Sequence, residues 1–265
     1  MTQPIPLQKR LPISVCLISG AEARRIPHAL ESVAEWASEL IIVLNQEVND
    51  GTEEIARRFG AKVFREPWRG HVAQKNSAAQ KATQDWVLGL DADEAISAEL
   101  RQSLLALFAE PAAARACAAY RFARCTFYGG RWIRHGDWYP DRKVRLWQRG
   151  RARWGGVDPH DRLEVDGPIG DLRGDLLHFS MESVEHQIQK MVRYADDFAM
   201  ACRTQDRRVG FLDLLLRPCW RFCRSFILKL GFLDGWQGLS IAWMTAFYTF
   251  LRYLKALEDQ VPPDA

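Results

Sequence analysis

The chain has 265 residues, 48% of them hydrophobic, and a formal net charge of +3. That apolar content supports a core of ordinary size, in one large domain or in one domain with an extension. No nucleic-acid recognition module is visible. The polar stretch from Met1 to Arg10 lacks the apolar run of a secretory signal.

In chain order, Ile13 to Ile18 predicts a buried strand. Glu22 to Trp36 carries Ile26, Leu30 and Val33 at the spacing of one helix face. Leu40 to Leu44 predicts a second strand, punctuated by Asp50-Gly51-Thr52, and Glu53 to Phe59 a short helix. Ala61 to Phe64 follows as a strand, His71 to Thr83 as an alanine-rich helix, and Trp86 to Leu90 as a fourth strand. Ser97 is placed to cap a helix carrying Leu100, Leu104 and Leu107. Strand alternating with helix predicts a parallel, three-layer α/β sheet. After Ala119 the pattern changes. Tyr120 to Phe127 and Lys143 to Trp147 read as strands between glycine- and aromatic-rich loops, and the chain reads as helical from Met181. Gly210 to Leu254 is apolar and aromatic, broken at Gly231 and at Gly235-Trp236-Gln237-Gly238. The expected division is therefore a domain over 1–180 and a helical extension over 181–265.

Charge is unevenly spread. Between Arg121 and Arg153 there are ten Lys and Arg against Asp137 and Asp141, which suits an anionic ligand such as a nucleotide diphosphate, a phosphosugar or an acidic lipid. The six cysteines form no CxxC pair and no metal spacing, so reduced thiols in a cytoplasmic protein are expected.

The fourth strand ends in Leu90-Asp91-Ala92-Asp93-Glu94. Open α/β sheets bind ligands outside the carboxyl ends of their strands. Two carboxylates there can hold a hard divalent cation against a diphosphate. The alternative is a solvated acidic turn before the helix at Ser97.

The order of these motifs resembles a family. Glu22, Asp50-Gly51-Thr52, Gln74-Lys75-Asn76 and Leu90-Asp91-Ala92-Asp93-Glu94 are followed by Asp141-Arg142-Lys143-Val144-Arg145-Leu146 and His160-Asp161. Together they are similar to family 2 glycosyltransferases of the GT-A fold, nearest to the lipopolysaccharide-core glucosyltransferases, over about residues 12–257. The resemblance implies a Rossmann-like, mostly parallel sheet with a helical C-terminal extension. It implies a nucleotide-sugar donor, a divalent Mg or Mn cation, and inversion at the anomeric carbon. Asp93 would bind the metal, with Asp91 assisting or facing the ribose. Lys75 would lie near the nucleotide or its phosphates, and His160 would complete the metal or diphosphate site. The sequence departs from the family at Ala21-Glu22, where an Asn-Glu pair is usual, and at Asn45, where an Asp is usual. A UDP-sugar is the expected donor. Asn45 can accept or donate at a pyrimidine N3, so it permits cytosine as well as uracil.

Inverting transfer needs a general base for the acceptor hydroxyl and neutralisation of the leaving diphosphate. Asp141 is the first candidate base, Asp161 the second and Asp137 the third. Lys75, Arg142 and Arg145 are candidate diphosphate partners. His178 reads as a structural histidine and Trp68 as a packing residue. The expected acceptor is a cell-envelope glycan or a lipid-linked sugar, above all the lipopolysaccharide core.

Two other functions compete. A nucleotidyltransferase would commonly begin with a Gly-rich loop after the first strand, whereas Ser19-Gly20-Ala21-Glu22 holds one glycine. A non-catalytic envelope-assembly protein would not need the Asp91 and Asp93 pair, although Ala21 and Asn45 fit it.

The run from Phe211 to Leu230 is interrupted by Arg217, Arg221, Arg224 and Lys229, so it is not expected to span a membrane. It suits a helix lying in the interface with its basic side on anionic headgroups, on the inner face of the cytoplasmic membrane. Helices that merely pack on the α/β domain are the alternative.

Overall fold

The computed structural model describes residues 10–158, 160–179 and 184–260, apart from the side chains of His160 and His186. The chain divides into two compact units. The first holds residues 1–124 and 141–179, the second residues 125–140 and 180–265.

The first unit is built on β1 (Leu11–Ser19), α1 (Ile26–Glu31), β2 (Ala37–Asn45), α2 (Thr52–Arg58), β3 (Lys62–Glu66), α3 (His71–Gln80) and β4 (Trp86–Asp91). There follow β5 (Glu94–Ile96), α4 (Ala98–Ala109), α5 (Pro111–Ala114) and β6 (Ala119–Tyr128), whose last residues enter the second unit with β7 (Arg131–Trp132). The chain returns to the first unit through β8 (Asp141–Gln148), β9 (Ala152–Val157), β10 (His160–Val165) and β11 (Ile169–His178). The sheet runs β3-β2-β1-β4-β8-β6-β11-β5. β3, β2, β1 and β4 are parallel, and β8 joins β4 antiparallel.

Side chains alternate across a strand, and both faces of this sheet are covered. Ile13, Val15 and Leu17 of β1 pack with Ile26, Leu30 and Val33, and with Leu100 and Leu104 of α4. Cys16 faces the other way, among Ile41, Val43, Val87, Ala78 of α3, Trp147 and Trp154. Burial pushes the Cys16 thiol far up, which leaves it an inert core residue. The expected three-layer α/β arrangement is present.

Several element bounds differ from the sequence reading. The helix expected over Glu22 to Trp36 is only one and a half turns, with Pro27 in its first turn and ordinary turns on either side. The cap at Ser97 forms as expected: its Oγ accepts from Leu100 N at 3.2 Å and also from Asp175 N at 3.0 Å. Gly174 lets β11 cross this helix start, because a Cβ there would lie 2.2 Å from Leu100 N.

In the second unit, α6 (Val184–Thr204) and α7 (Phe211–Cys223) both pack on α8 (Gly235–Glu258). A π-helical turn (Arg224–Leu228) and a 3-10 turn (Gly231–Asp234) join α7 to α8. The segment 125–140 is tied to these helices by polar contacts. Buried Asp234 accepts from Arg134 N at 3.0 Å and His135 N at 2.8 Å, and Gln237 Nε2 donates to Gly129 O at 2.9 Å. Among the described residues no helix is long and apolar enough to cross a membrane.

Candidate active site

The strand order places a topological switch between β1 and β4, where chain connections leave in opposite directions. Ile18 and Asp91 are register partners at that carboxyl edge. The loop after β1 is held by the Asp50-Gly51-Thr52 turn. Asp50 accepts from Ala23 N at 3.1 Å, and Thr52 Oγ1 from Glu22 N at 3.0 Å. Gly51 supplies the left-handed residue (φ +92°) that starts α2. Glu22 itself pairs with Arg25 at 2.7 Å. These motif residues therefore shape the loop.

Asp91 lies between two cations. Lys75 Nζ is 3.0 Å from Oδ1 and Arg145 Nη2 is 2.6 Å from Oδ2. Lys75 also donates to Asp161 Oδ2 at 2.9 Å and stands 4.6 Å from the centre of the Trp154 ring. Arg145 also donates to Glu94 Oε1 at 2.9 Å, and Glu94 Oε2 accepts from Asp91 N at 3.0 Å. Trp154 is fixed in turn by Asn76, which donates to its carbonyl at 2.8 Å and accepts from its N–H at 2.9 Å. The Gln74-Lys75-Asn76 motif thus joins α3 to β9 and aims Lys75 at β4. Burial opposes ionisation of Asp91, but the charges of Arg145 and Lys75 hold its carboxyl far below the usual range. Burial pushes the Glu94 carboxyl up, and Arg145 offsets this only in part.

Asp93 has a different environment. β5 pairs antiparallel with β11, with His178 opposite Glu94, and Phe179 N donates to Asp93 O at 2.8 Å. This pairing brings His178 Nε2 to 3.4 Å from Asp93 Oδ2. Burial works against the Asp93 anion, but the hydrogen bond and charge of His178 overcome it and lower the carboxyl below its ordinary value. The sequence treated His178 as structural; the structure puts it beside the very carboxylate expected to bind metal. That proximity is created by a long-range strand pairing, so no local spacing could signal it. His160 begins β10, but its side chain lies outside the described residues.

The other candidates fall in distinct places. Asp141 pairs with Arg124 at 2.7 Å and Lys143 at 3.1 Å. Burial raises its carboxyl, yet the two cations prevail and lower it. Arg142 pairs with Asp171 at 2.9 Å. Asn45 ends β2, where its Oδ1 accepts a long 3.5 Å contact from Glu47 N. Trp68, expected to pack the fold, is 47% exposed and meets His71 edge-on. Asp137 belongs to the second unit, where three cations surround it: Arg221 and Arg224, each at 3.4 Å, and Lys229 at 2.9 Å.

Among the described residues, no three His, Cys, Asp or Glu side chains gather as a closed metal site. Asp93 and His178 offer one carboxylate oxygen and one imidazole nitrogen. That set fits a Mn²⁺ or Mg²⁺ ion whose remaining ligands come from phosphates and water. Asp91, by contrast, already has its negative charge matched within the protein.

A sequence model of glycosyl transferase family 2 matches residues 14–163. An uncharacterized glycosyltransferase of Rickettsia typhi is 31% identical over 93% of this chain and 87% of its own length. The lipopolysaccharide core biosynthesis glycosyltransferase LpsC of Rhizobium meliloti is 28% identical, over 93% of this chain and 95% of its own. Among solved structures, the mannosyltransferase PcManGT from Pyrobaculum calidifontis, in complex with GDP-Man and Mn²⁺, has a TM-score of 0.51. It is 14% identical and aligns over 96% of this chain and 89% of its own, a likeness of fold.

The Arg145 network yields a stability prediction. Removing one partner of a buried ion pair costs about 3–5 kcal/mol, because a charge is left buried without its counter-charge. Arg145→Met should destabilise the protein by about that amount in urea unfolding. An unfolding midpoint equal to that of the wild type would contradict the pairing.

Proposed function

The chain belongs to glycosyl transferase family 2, and from that premise we propose that it is a metal-assisted, inverting enzyme acting on a nucleotide-sugar donor. Its acceptor would be a cell-envelope glycan or lipid-linked sugar, with the lipopolysaccharide core as the acceptor class. The family match decides against a nucleotidyltransferase. The observation that carries the reading is the Asp93 and His178 pair beside a carboxylate already neutralised by Lys75 and Arg145, at the carboxyl edge of β4. The name of the Rhizobium meliloti relative supports the acceptor class.

A cation held by Asp93 and His178 would supply charge neutralisation for the leaving diphosphate. Lys75 and Arg145 keep Asp91 ionised and oriented, free to accept from a donor hydroxyl. Asn45 is assigned to the nucleotide base, and its carbonyl and amide fit uracil with UDP-sugars as the preferred donors. Asp141 is assigned as the base. Its side chain is 34% exposed against 15% for Asp161, which leaves it the more accessible of the two carboxylates.

We also place the enzyme on the inner face of the cytoplasmic membrane. α7 leaves Phe211, Leu212, Leu215, Leu216 and Trp220 exposed on one stripe. α8 does the same with Trp236, Leu239, Trp243, Phe247 and Leu254. Leucines mixed with tryptophan and phenylalanine suit the boundary between headgroups and acyl chains. The basic side chains expected to face headgroups are in part engaged within the second unit. Arg217 pairs with Asp213 and lies over the Tyr253 ring, and Arg221, Arg224 and Lys229 face Asp137. The apolar stripes are therefore the attachment surface.

Three measurements test these readings. A panel of nucleotide sugars should release nucleoside diphosphate only with Mn²⁺ or Mg²⁺ present, and Asp93→Ala should abolish release. With an acceptor, Asp141→Asn should lower turnover by roughly 10²-fold with donor affinity little changed. Full activity in excess chelator would refute the metal role, and a near-wild-type Asp141→Asn the base. In vesicle co-sedimentation, the double change Leu216→Glu and Trp220→Glu should release the protein from membranes. Unchanged sedimentation would refute attachment through α7.

A further inference from the structure

The second unit contains a cavity of about 490 Å³ that none of the donor-site residues enters. Its volume lies in the usual range for small-molecule sites. It is walled by α6, α7, α8, the π-helical turn and the Asp137-Trp138 segment. Among the described residues lining it, Lys190, Arg221, Arg224 and Lys229 face a single acid, Asp137. Three of those cations already converge on Asp137 within 3.4 Å. One carboxylate cannot balance them, so the cavity keeps a positive surplus. Each of the three side chains remains about a third exposed, within reach of a second anion.

A second, independent observation concerns Gln187. It lines the same cavity and is 9% exposed, and its Oε1 has no hydrogen-bond partner among the described residues. A buried acceptor left unpaired is unfavourable, and a ligand that donates to it removes that penalty. A carboxylate or a fully ionised phosphate group has no donor to offer. A sugar hydroxyl does. Trp138, Tyr194 and Tyr248 line the cavity as well and add aromatic surface, which suits the C–H side of a sugar.

We infer that this cavity binds an anionic sugar, a glycan residue carrying a phosphate or a carboxylate. Arg221, Arg224 and Lys229 take the charged group, and Gln187 Oε1 accepts from a ring hydroxyl. The choice of a glycan rests on the glycosyltransferase reading above, and the site gives that enzyme an acceptor class: acidic rather than neutral sugars. Planar guanidinium groups match phosphate and carboxylate oxygens in pairs, which a point charge does not.

Calorimetric titration tests this on the full chain with five probes: mannose 6-phosphate, glucuronic acid, glucose, inorganic phosphate and phosphatidylglycerol vesicles. At least one acidic sugar should bind tenfold or more tightly than both glucose and phosphate. Arg221→Gln with Arg224→Gln should weaken that binding at least tenfold. Gln187→Leu should erase the preference for the sugar phosphate over phosphate itself. Because the double change also strips partners from Asp137, Lys190→Gln is made in parallel. It leaves the Asp137 pairs intact and should still weaken the acidic sugar several-fold. Equal binding of acidic and neutral sugars would overturn the inference. So would wild-type affinity in the Arg variants, or binding confined to phosphatidylglycerol vesicles with none to the sugars. Titration of UDP with Mn²⁺ on the same proteins separates this failure from failure of the donor reading. Loss of sugar binding with UDP binding retained sinks only the acceptor site. Loss of UDP binding with sugar binding retained sinks only the donor site.

Discussion

The geometry of the candidate site depends on the pairing of Asp91 with Lys75 and Arg145. A carboxylate at the end of a buried strand, with another at Asp93 and a third at Glu94, would be strongly self-repelling without counter-charges. Two buried cations from different elements resolve this. Lys75 comes from α3 and Arg145 from β8, so the charge balance forms only when the helix and the antiparallel half of the sheet are both docked on β4. The pairing thus ties the parallel and antiparallel halves together at the point where the ligand edge lies. It also divides the labour of the Asp-x-Asp. Asp91 is neutralised from within, and Asp93 is left beside His178.

The parallel half of the fold was legible because its signals are local. Ile13 to Ile18, Leu40 to Leu44 and Trp86 to Leu90 are apolar runs of strand length, and Ser97 is an N-cap with its helix directly behind it. The strands after Ala119 were read less well. β11 (Ile-Gly-Asp-Leu-Arg-Gly-Asp-Leu-Leu-His) mixes glycines with charges and buries only Asp175 and Leu176. β9 carries two glycines in six residues, and β5 is three residues long. Such strands are fixed by their neighbours rather than by propensity.

The same distinction separates the site residues. Lys75, Asp91 and Asp93 stood out because their motifs are contiguous. His178 did not, because its link to Asp93 runs through the register of β5 with β11, between residues 85 apart in the chain. Asp141 was recognisable as a carboxylate among aromatics, but its partners Arg124 and Lys143 could not be chosen from several nearby bases. The helical unit tells a similar story. Its apolar and basic residues were visible as a list. That the arginines gather around Asp137, while the leucines and tryptophans stay exposed, follows from how α7 and α8 pack.

The central claim is that Asp93 and His178 hold the cation while Asp91 serves as the internal partner of Lys75 and Arg145. The most direct measurement is Mn²⁺ affinity in the presence of UDP, read by electron paramagnetic resonance of free Mn²⁺. Asp93→Ala and His178→Ala should each weaken Mn²⁺ at least tenfold, whereas Asp91→Asn should change it far less. Wild-type affinity in both Asp93→Ala and His178→Ala, with the loss confined to Asp91→Asn, would contradict the account.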